Sequence, residues 1–193
     1  ENKIEILPNG IENFWIKNKP NLEKKNNQNL FFAGRLDRNK RVLKVIKSVL
    51  YLNKNNNNLT LNIAGDGPLK QKIEKISAKR FDINYLGKIN ELDQLKAEYE
   101  KAWLFVMPSK KETFGLVYIE AISQGCKIIY TKGQGVDGYK DIENFGESVT
   151  KAGCKELSNK IEKALKKSNW KTQQYIQKYD WNNIIMKFKE VYE

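Results

Sequence analysis

The sequence predicts an α/β chain, a Rossmann-like doubly wound parallel sheet that ends in helices, and three observations carry that reading. Short apolar runs bounded by turn residues recur at regular distances, and amphipathic stretches with helical spacing lie between them. After about Lys151 only helical stripes remain. Strands and helices that alternate with short connections point to right-handed βαβ units. The 193 residues suit a single domain, with about 1–150 as the α/β core and about 151–193 as C-terminal helices.

Taken in order, the strand runs are Ile4 to Leu7, Asn29 to Ala33, Leu59 to Ala64, Ile83 to Leu86, Trp103 to Met107 and Lys127 to Tyr130. Val42, Val45, Ile46, Val49 and Leu50 form one helical stripe, and Leu69, Ile73 and Ile76 a second. Leu92, Leu95, Tyr99 and Ala102 form a third, each able to cover a sheet face. The C-terminal stripes are Leu157, Ile161 and Leu165, then Trp181, Ile184, Ile185, Phe188 and Tyr192, the last preceded by Asp180 as an N-cap. Such a terminal aromatic helix packs on its own domain or bridges to a missing partner.

Composition narrows the chemistry. Hydrophobic residues at 40% and aromatics at 11% supply a core, while no apolar stretch approaches the length of a bilayer-spanning helix. The chain opens Glu1-Asn2-Lys3-Ile4 without a leading Met or signal segment, which reads as an excised piece. The absence of His removes Ser-His-Asp and Cys-His nucleophile pairs and His-built metal sites. Cys126 and Cys154 lack CxxC spacing and read as free thiols of a reducing cytoplasm. A formal charge of +12 favours phosphates, nucleic acid or an anionic membrane face, although Lys and Asn are plentiful throughout.

In a doubly wound sheet, ligands sit outside the carboxyl ends of the strands, so the loops there hold the candidates. Pro108 to Glu120 follows a buried-looking strand and leads into a helix, with Glu112 and Glu120 eight positions apart across its start. The amides near Phe114 to Val117 suit a phosphate or sugar oxygen. Spacing alone slightly favours an ordinary helix-entry acid and a solvated helix residue. Ala33-Gly34-Arg35-Leu36 with Lys40 offers a close backbone approach at Gly34, a bidentate phosphate grip at Arg35 and a point charge at Lys40. A plain turn with surface cations fits the same residues. Ala64-Gly65-Asp66-Gly67-Pro68 is a strand-to-helix turn, structural or ligand-facing. Gly133 to Gly138 matches GxGxxG, but neither a long helix nor a further strand with a ribose-binding acid follows, which excludes a nicotinamide or flavin site.

Together these segments resemble the C-terminal domain of the family 4 retaining glycosyltransferases, which have the two-domain GT-B fold. The ordered series is Leu7-Pro8-Asn9-Gly10-Ile11, Ala33-Gly34-Arg35-Leu36 with Lys40, Ile63 to Pro68, Leu86-Gly87, Met107-Pro108-Ser109, and Glu112-Thr113-Phe114-Gly115 with Glu120. Tyr179-Asp180-Trp181 closes it, so the resemblance spans nearly the whole chain. It implies a nucleoside-diphosphate sugar donor with Arg35 and Lys40 on the diphosphate, and neither a cofactor nor a metal. It further implies Glu120 on the ribose hydroxyls and Glu112 on the sugar hydroxyls. The backbone of Thr113, Phe114, Gly115 and Leu116 would lie beside the sugar, and Gly87 and Ile89 near the base. The catalytic set is thus Glu112, Arg35 and Lys40, acting in a front-face displacement that retains configuration.

Two departures accompany the resemblance. Where the family often has Gly-Gly and then Pro-Glu, this chain has Gly133-Gln134-Gly135-Val136-Asp137-Gly138. The N-terminal half, which would receive a glycan or lipid-linked acceptor, is not in the chain, so the chain alone should transfer little sugar. The implied setting is cytoplasmic polysaccharide or glycolipid assembly, with peripheral contact at the inner membrane face. Two other classes compete. A basic module would bind nucleic acid through the charge and Phe14, Trp15 and Trp103, but no RNP-like or helix-turn-helix segment supports it. A glycoside hydrolase using Glu112 and Glu120 fits poorly, because both acids come from one loop-helix segment.

Overall fold

A computed structural model describes residues 8–166 and 175–192. Six parallel strands form one sheet: β1 (Asn26–Ala33), β2 (Thr60–Ala64), β3 (Ile83–Gly87), β4 (Ala102–Val106), β5 (Lys127–Thr131) and β6 (Gly146–Val149). Their spatial order is β3-β2-β1-β4-β5-β6, so the chain runs outward from β1 in one direction and then returns to start again at β4. This is the predicted doubly wound sheet, and its switch point lies between β1 and β4. Among the described residues the α-helices include α1 (Asn13–Lys17), α2 (Val42–Lys54), α3 (Lys70–Ser77), α4 (Leu92–Lys101), α5 (Leu116–Ser123), α6 (Cys154–Leu165) and α7 (Trp181–Tyr192).

Five of the six expected strands occur within a few residues of their predicted bounds; the sixth, Ile4 to Leu7, lies outside the described residues. The strand β6 was not expected, because Gly-Glu-Ser-Val has no apolar run to announce it. It pairs with β5 from Ile128↔Gly146 to Thr131↔Val149. Its Glu147 is buried yet satisfied by Lys160 at 2.9 Å and Lys163 at 3.0 Å, both on α6. A tertiary ion pair thus supports a strand that local hydrophobicity does not.

Central strands are covered on both faces, so Leu30, Phe31, Phe32, Leu104, Phe105 and Val106 are all fully buried. Val42, Val45, Ile46 and Val49 of α2 join that core, as do Leu157 and Ile161 of α6. The aromatics proposed for nucleic acid are spent here. Trp15 is 1% exposed and packs edge-on against Phe14 and Tyr99. The Trp103 ring is covered by the buried Lys127 ammonium 4.9 Å from its centroid. They form no stacking surface for bases, which corrects that expectation. Cys126 is buried and Cys154 exposed, both as free thiols.

The two ends of the described chain are tied together. The Ile11 N–H donates to the Tyr179 carbonyl at 3.0 Å, and the Trp181 indole lies over Gly10, where a Cβ would fall 2.6 Å from the ring. Asp180 caps α7 as predicted, its carboxylate accepting the Asn182 N–H at 2.9 Å. Beyond that anchor α7 buries Ile184 but leaves Trp181, Ile185, Met186 and Phe188 about half exposed. The apolar stripe is therefore only partly packed on this domain. Among the described residues no helix is long and apolar enough to cross a membrane.

Candidate functional site

The strand order decides which loops meet. Because β1 and β4 are neighbours, the loop after β1 (34–41) and the loop after β4 (107–115) share the crevice at the switch point. Asn39 staples them. Its side-chain amide donates to the Lys111 carbonyl and accepts the Lys111 N–H, both at 3.0 Å, while its carbonyl accepts the Lys110 N–H at 2.7 Å. Arg41, in the left-handed region at φ 57°, extends the contact by donating to the Pro108 carbonyl at 3.2 Å.

That staple places Lys40 against Glu112, 72 residues away, with Nζ 2.5 Å from Oε2. The side chains are only 21% and 15% exposed. Ser109 Oγ lies 3.4 Å from the same carboxylate oxygen. Gly115 then turns the chain into α5 at φ 76°, and its Cβ, if it had one, would strike the Tyr118 ring at 2.6 Å. The turn leaves the first amides of α5 without helical partners at a positive helix end. Tyr118 is anchored below, its hydroxyl donating to the Met107 carbonyl.

Glu120 lies a turn further along α5, half-buried, with Oε2 3.5 Å from the Tyr99 hydroxyl. It is not the solvated residue that spacing favoured. Burial pushes its carboxyl up to about 7 and Glu12 adds repulsion, against a small opposing effect from the Tyr99 hydroxyl. The carboxylate thus sits beside Tyr99, which also lines the neighbouring cleft.

The cleft itself, about 390 Å³, lies over the carboxyl ends of β1 to β3. Gly34, Arg35, Asp66, Ile89, Tyr99 and Val117 line much of it. Arg35 is 69% exposed at its mouth, where its Nε rests 3.4 Å from Asp37. The predicted residues thus fall into two adjoining groups: Gly34, Arg35 and Ile89 on the cleft wall, and Lys40 with Glu112 at the switch point. Thr113 and Leu116 are exposed, and the Phe114 ring packs on Tyr139 at 5.2 Å. Gly87 serves β3 and its neighbour, its carbonyl accepting the Gly65 N–H at 2.8 Å.

Gly65 proves to be structural in a strong sense. At φ +143°, a Cβ there would fall 1.9 Å from the Gly34 carbonyl oxygen. We expect Gly65→Ala to destabilise the chain by about 3 kcal/mol in urea denaturation, from strain plus displaced backbone. Gly87→Ala, also at positive φ but with nothing within 4 Å, should cost only about 1 kcal/mol. Equal losses at the two positions would refute the close packing of the two loops.

Sequence reasoning missed two members of the site, Asn39 and Tyr99 as a neighbour of Glu120, and it named the Gly133–Gly138 loop without its contacts. That loop packs directly on Glu112, whose carbonyl accepts the Gly135 N–H at 2.9 Å. A polar residue beside a candidate cation was the only local signal for Asn39.

A doubly wound sheet that gathers cations, carboxylates and a helix N-terminus at its switch point has the architecture of a GT-B glycosyltransferase domain. Sucrose-phosphate synthase of Thermosynechococcus elongatus matches with a TM-score of 0.76 at 20% identity, covering 97% of this chain and 51% of that one. The C-terminal domain of a glycosyl transferase group 1 family protein from Francisella tularensis matches at 0.62 and 20% identity, covering 83% of this chain and 85% of that one.

The chain belongs to the glycosyl transferases group 1 family, whose model matches residues 13–181. It is 31% identical over 148 residues to a Campylobacter jejuni enzyme, covering 74% of this chain and 40% of that one. That relative is the GalNAc-alpha-(1->4)-GalNAc-alpha-(1->3)-diNAcBac-PP-undecaprenol alpha-1,4-N-acetyl-D-galactosaminyltransferase. An uncharacterized glycosyltransferase of Methanocaldococcus jannaschii is 26% identical over 216 residues, covering all of this chain and 54% of its own length. The chain therefore spans about half the length of the curated relatives it matches.

Proposed function

We propose that this chain is the nucleotide-sugar-binding domain of a retaining glycosyltransferase, which transfers a hexosyl group from a nucleoside-diphosphate sugar to a glycan or lipid-linked acceptor. The observation that carries the reading is the meeting of Lys40 and Glu112 at the switch point, with Glu120 eight residues on in α5, beside Tyr99 of the cleft lining. Arg35 and Lys40 hold the diphosphate, and the α5 amides add positive potential as the leaving group gains charge. Glu120 accepts from the ribose hydroxyls. Glu112 meets the sugar hydroxyls, and Gly34, Thr113, Phe114, Gly115 and Leu116 present backbone to the donor. The base lies against Gly87 and Ile89.

In the displacement, the acceptor hydroxyl attacks the anomeric carbon from the face that the diphosphate leaves. Its proton passes to the departing phosphate oxygen, and Glu112 orients the sugar without forming a covalent bond to it. The acceptor would sit on a second, N-terminal domain, so this chain alone transfers little. The undecaprenol-linked substrate in the name of the Campylobacter relative supports a lipid-linked acceptor and work at the cytoplasmic membrane face. A solved relative, the pneumococcal O-GlcNAc transferase GtfA, was crystallised in complex with UDP and GlcNAc, which supports a uridine donor.

Calorimetric titration with UDP, GDP and ADP and with UDP-N-acetylgalactosamine, UDP-glucose, GDP-mannose and ADP-glucose tests the reading. One base should bind saturably. Arg35→Ala should weaken it tenfold or more, by roughly the 1.5–3 kcal/mol of a charge-assisted hydrogen bond. Because Arg35 is largely exposed, its removal leaves the fold intact. Failure of every nucleotide to bind both this chain and the full-length protein would end the proposal.

A further inference from the structure

The Gly133–Gly138 loop departs from the family pattern, and its contacts show what the departure does. The Glu112 N–H donates to Gln134 Oε1 at 3.2 Å, while the Gly135 N–H donates to the Glu112 carbonyl at 2.9 Å. One residue of the candidate site is thus held at both its backbone N–H and its backbone carbonyl. The Gln134 amide is oriented in turn, its Nε2 donating to the Gly133 carbonyl at 2.7 Å. The loop is closed on itself by Asp137, whose carboxylate accepts the Gly133 N–H at 2.6 Å. The Glu112 stem is also gripped between two glycines. A Cβ at Gly135 would fall 2.8 Å from Glu112 Cγ, and one at Gly115 would fall 3.2 Å from it.

We infer that Gln134 is a positioning residue, which fixes the Glu112 backbone so that its carboxylate meets Lys40 and the donor in one preset geometry. The inference rests on the donor-binding reading of Glu112. Asn39 holds Lys111 from the loop after β1, and Gln134 holds Glu112 from the loop after β5, so the acid is clamped from both sides of the switch point. A carboxylate held this way need not be ordered when the donor arrives, which is the advantage of preorganisation. The Gln134 side chain bonds the Glu112 N–H and the Gly133 carbonyl, and the residue is not among those that line the cleft.

The test compares Gln134→Met, which keeps the shape and removes the acceptor, with Gln134→Glu, which keeps an acceptor oxygen. In this chain, amide exchange of Glu112 should speed roughly fivefold in the Met variant and hold in the Glu variant. In the full-length protein, with each donor of the calorimetric panel, Gln134→Met should lower kcat about tenfold to a hundredfold and leave donor KM within about twofold. Gln134→Glu should restore most of kcat. A residue that only supports the fold would lower Tm in both variants without this split. Wild-type kcat in a folded Gln134→Met protein overturns the inference. If the Met variant does not fold, Gln134→Ser, which is too short to reach the amide, carries the same expectation. Wild-type protein that turns over no donor, while Glu112 exchange still responds to Gln134→Met, overturns the transferase reading and leaves the clamp standing.

Discussion

Glu120→Gln is expected to abolish tight nucleotide binding and at the same time to raise the melting temperature above pH 7. Folding lifts the Glu120 carboxyl from 4.5 to about 7, mainly through burial. Between those values the folded chain holds a proton that the unfolded chain has lost, so stability falls as pH climbs through that window. Above it, the ionised and half-buried carboxylate costs on the order of 2 kcal/mol, after allowance for its partial exposure. Gln removes that cost, so Tm at pH 8 should rise by roughly 5 °C, with little change at pH 4. Nucleotide affinity should drop about a hundredfold, because the carboxylate that would accept from the ribose hydroxyls is gone.

The same group makes donor binding depend on pH. A nucleoside-diphosphate sugar has no phosphate that titrates near neutrality, so its affinity for the wild-type chain should rise between pH 6 and pH 8 with Glu120 ionisation. That dependence should vanish in Glu120→Gln. A melting temperature unchanged at pH 8, together with pH-independent binding in the wild type, would remove Glu120 from the site.

Lys40→Met should weaken donor binding by roughly a hundredfold, and it should also cost about 2 kcal/mol of stability. The second effect arises because Glu112, 15% exposed, would lose its counter-charge at 2.5 Å. Adding Glu112→Gln to Lys40→Met removes the orphaned carboxylate. Urea denaturation of the double variant should therefore recover much of the lost stability, while binding stays poor. If stabilities simply add across the four proteins, Lys40 and Glu112 do not form the pair described. If UDP affinity survives Lys40→Met, the diphosphate lies elsewhere.

Much of this was legible in the chain before any coordinates. The apolar runs of β1 to β5 and the stripes of α2 to α4 and of α6 announce a two-sided parallel sheet, because burial on both faces leaves a local pattern. Glycines at Gly34, Gly65 and Gly115 mark turns that only they can make, and Asp180 marks the start of α7. The paired acids eight residues apart are also written locally, since one loop and one helix carry both.

Other features depend on partners far away in sequence. The strand β6 is held by Lys160 and Lys163, which no apolar run reports. Trp15 and Trp103 look available in the sequence, yet one is buried and the other lies under Lys127. Glu120 reads as solvated from its spacing and is half-buried because α5 brings it beside Tyr99 of α4. Lys40 and Glu112 meet across 72 residues only because β1 and β4 are neighbours, and Gln134 reaches Glu112 only because β5 lies next in the sheet. Hydrophobic period fixes which face of an element is buried, and so the sequence alone determined the fold class and the motif. Sheet order fixes which loops share a crevice, and that order is a property of the packed whole.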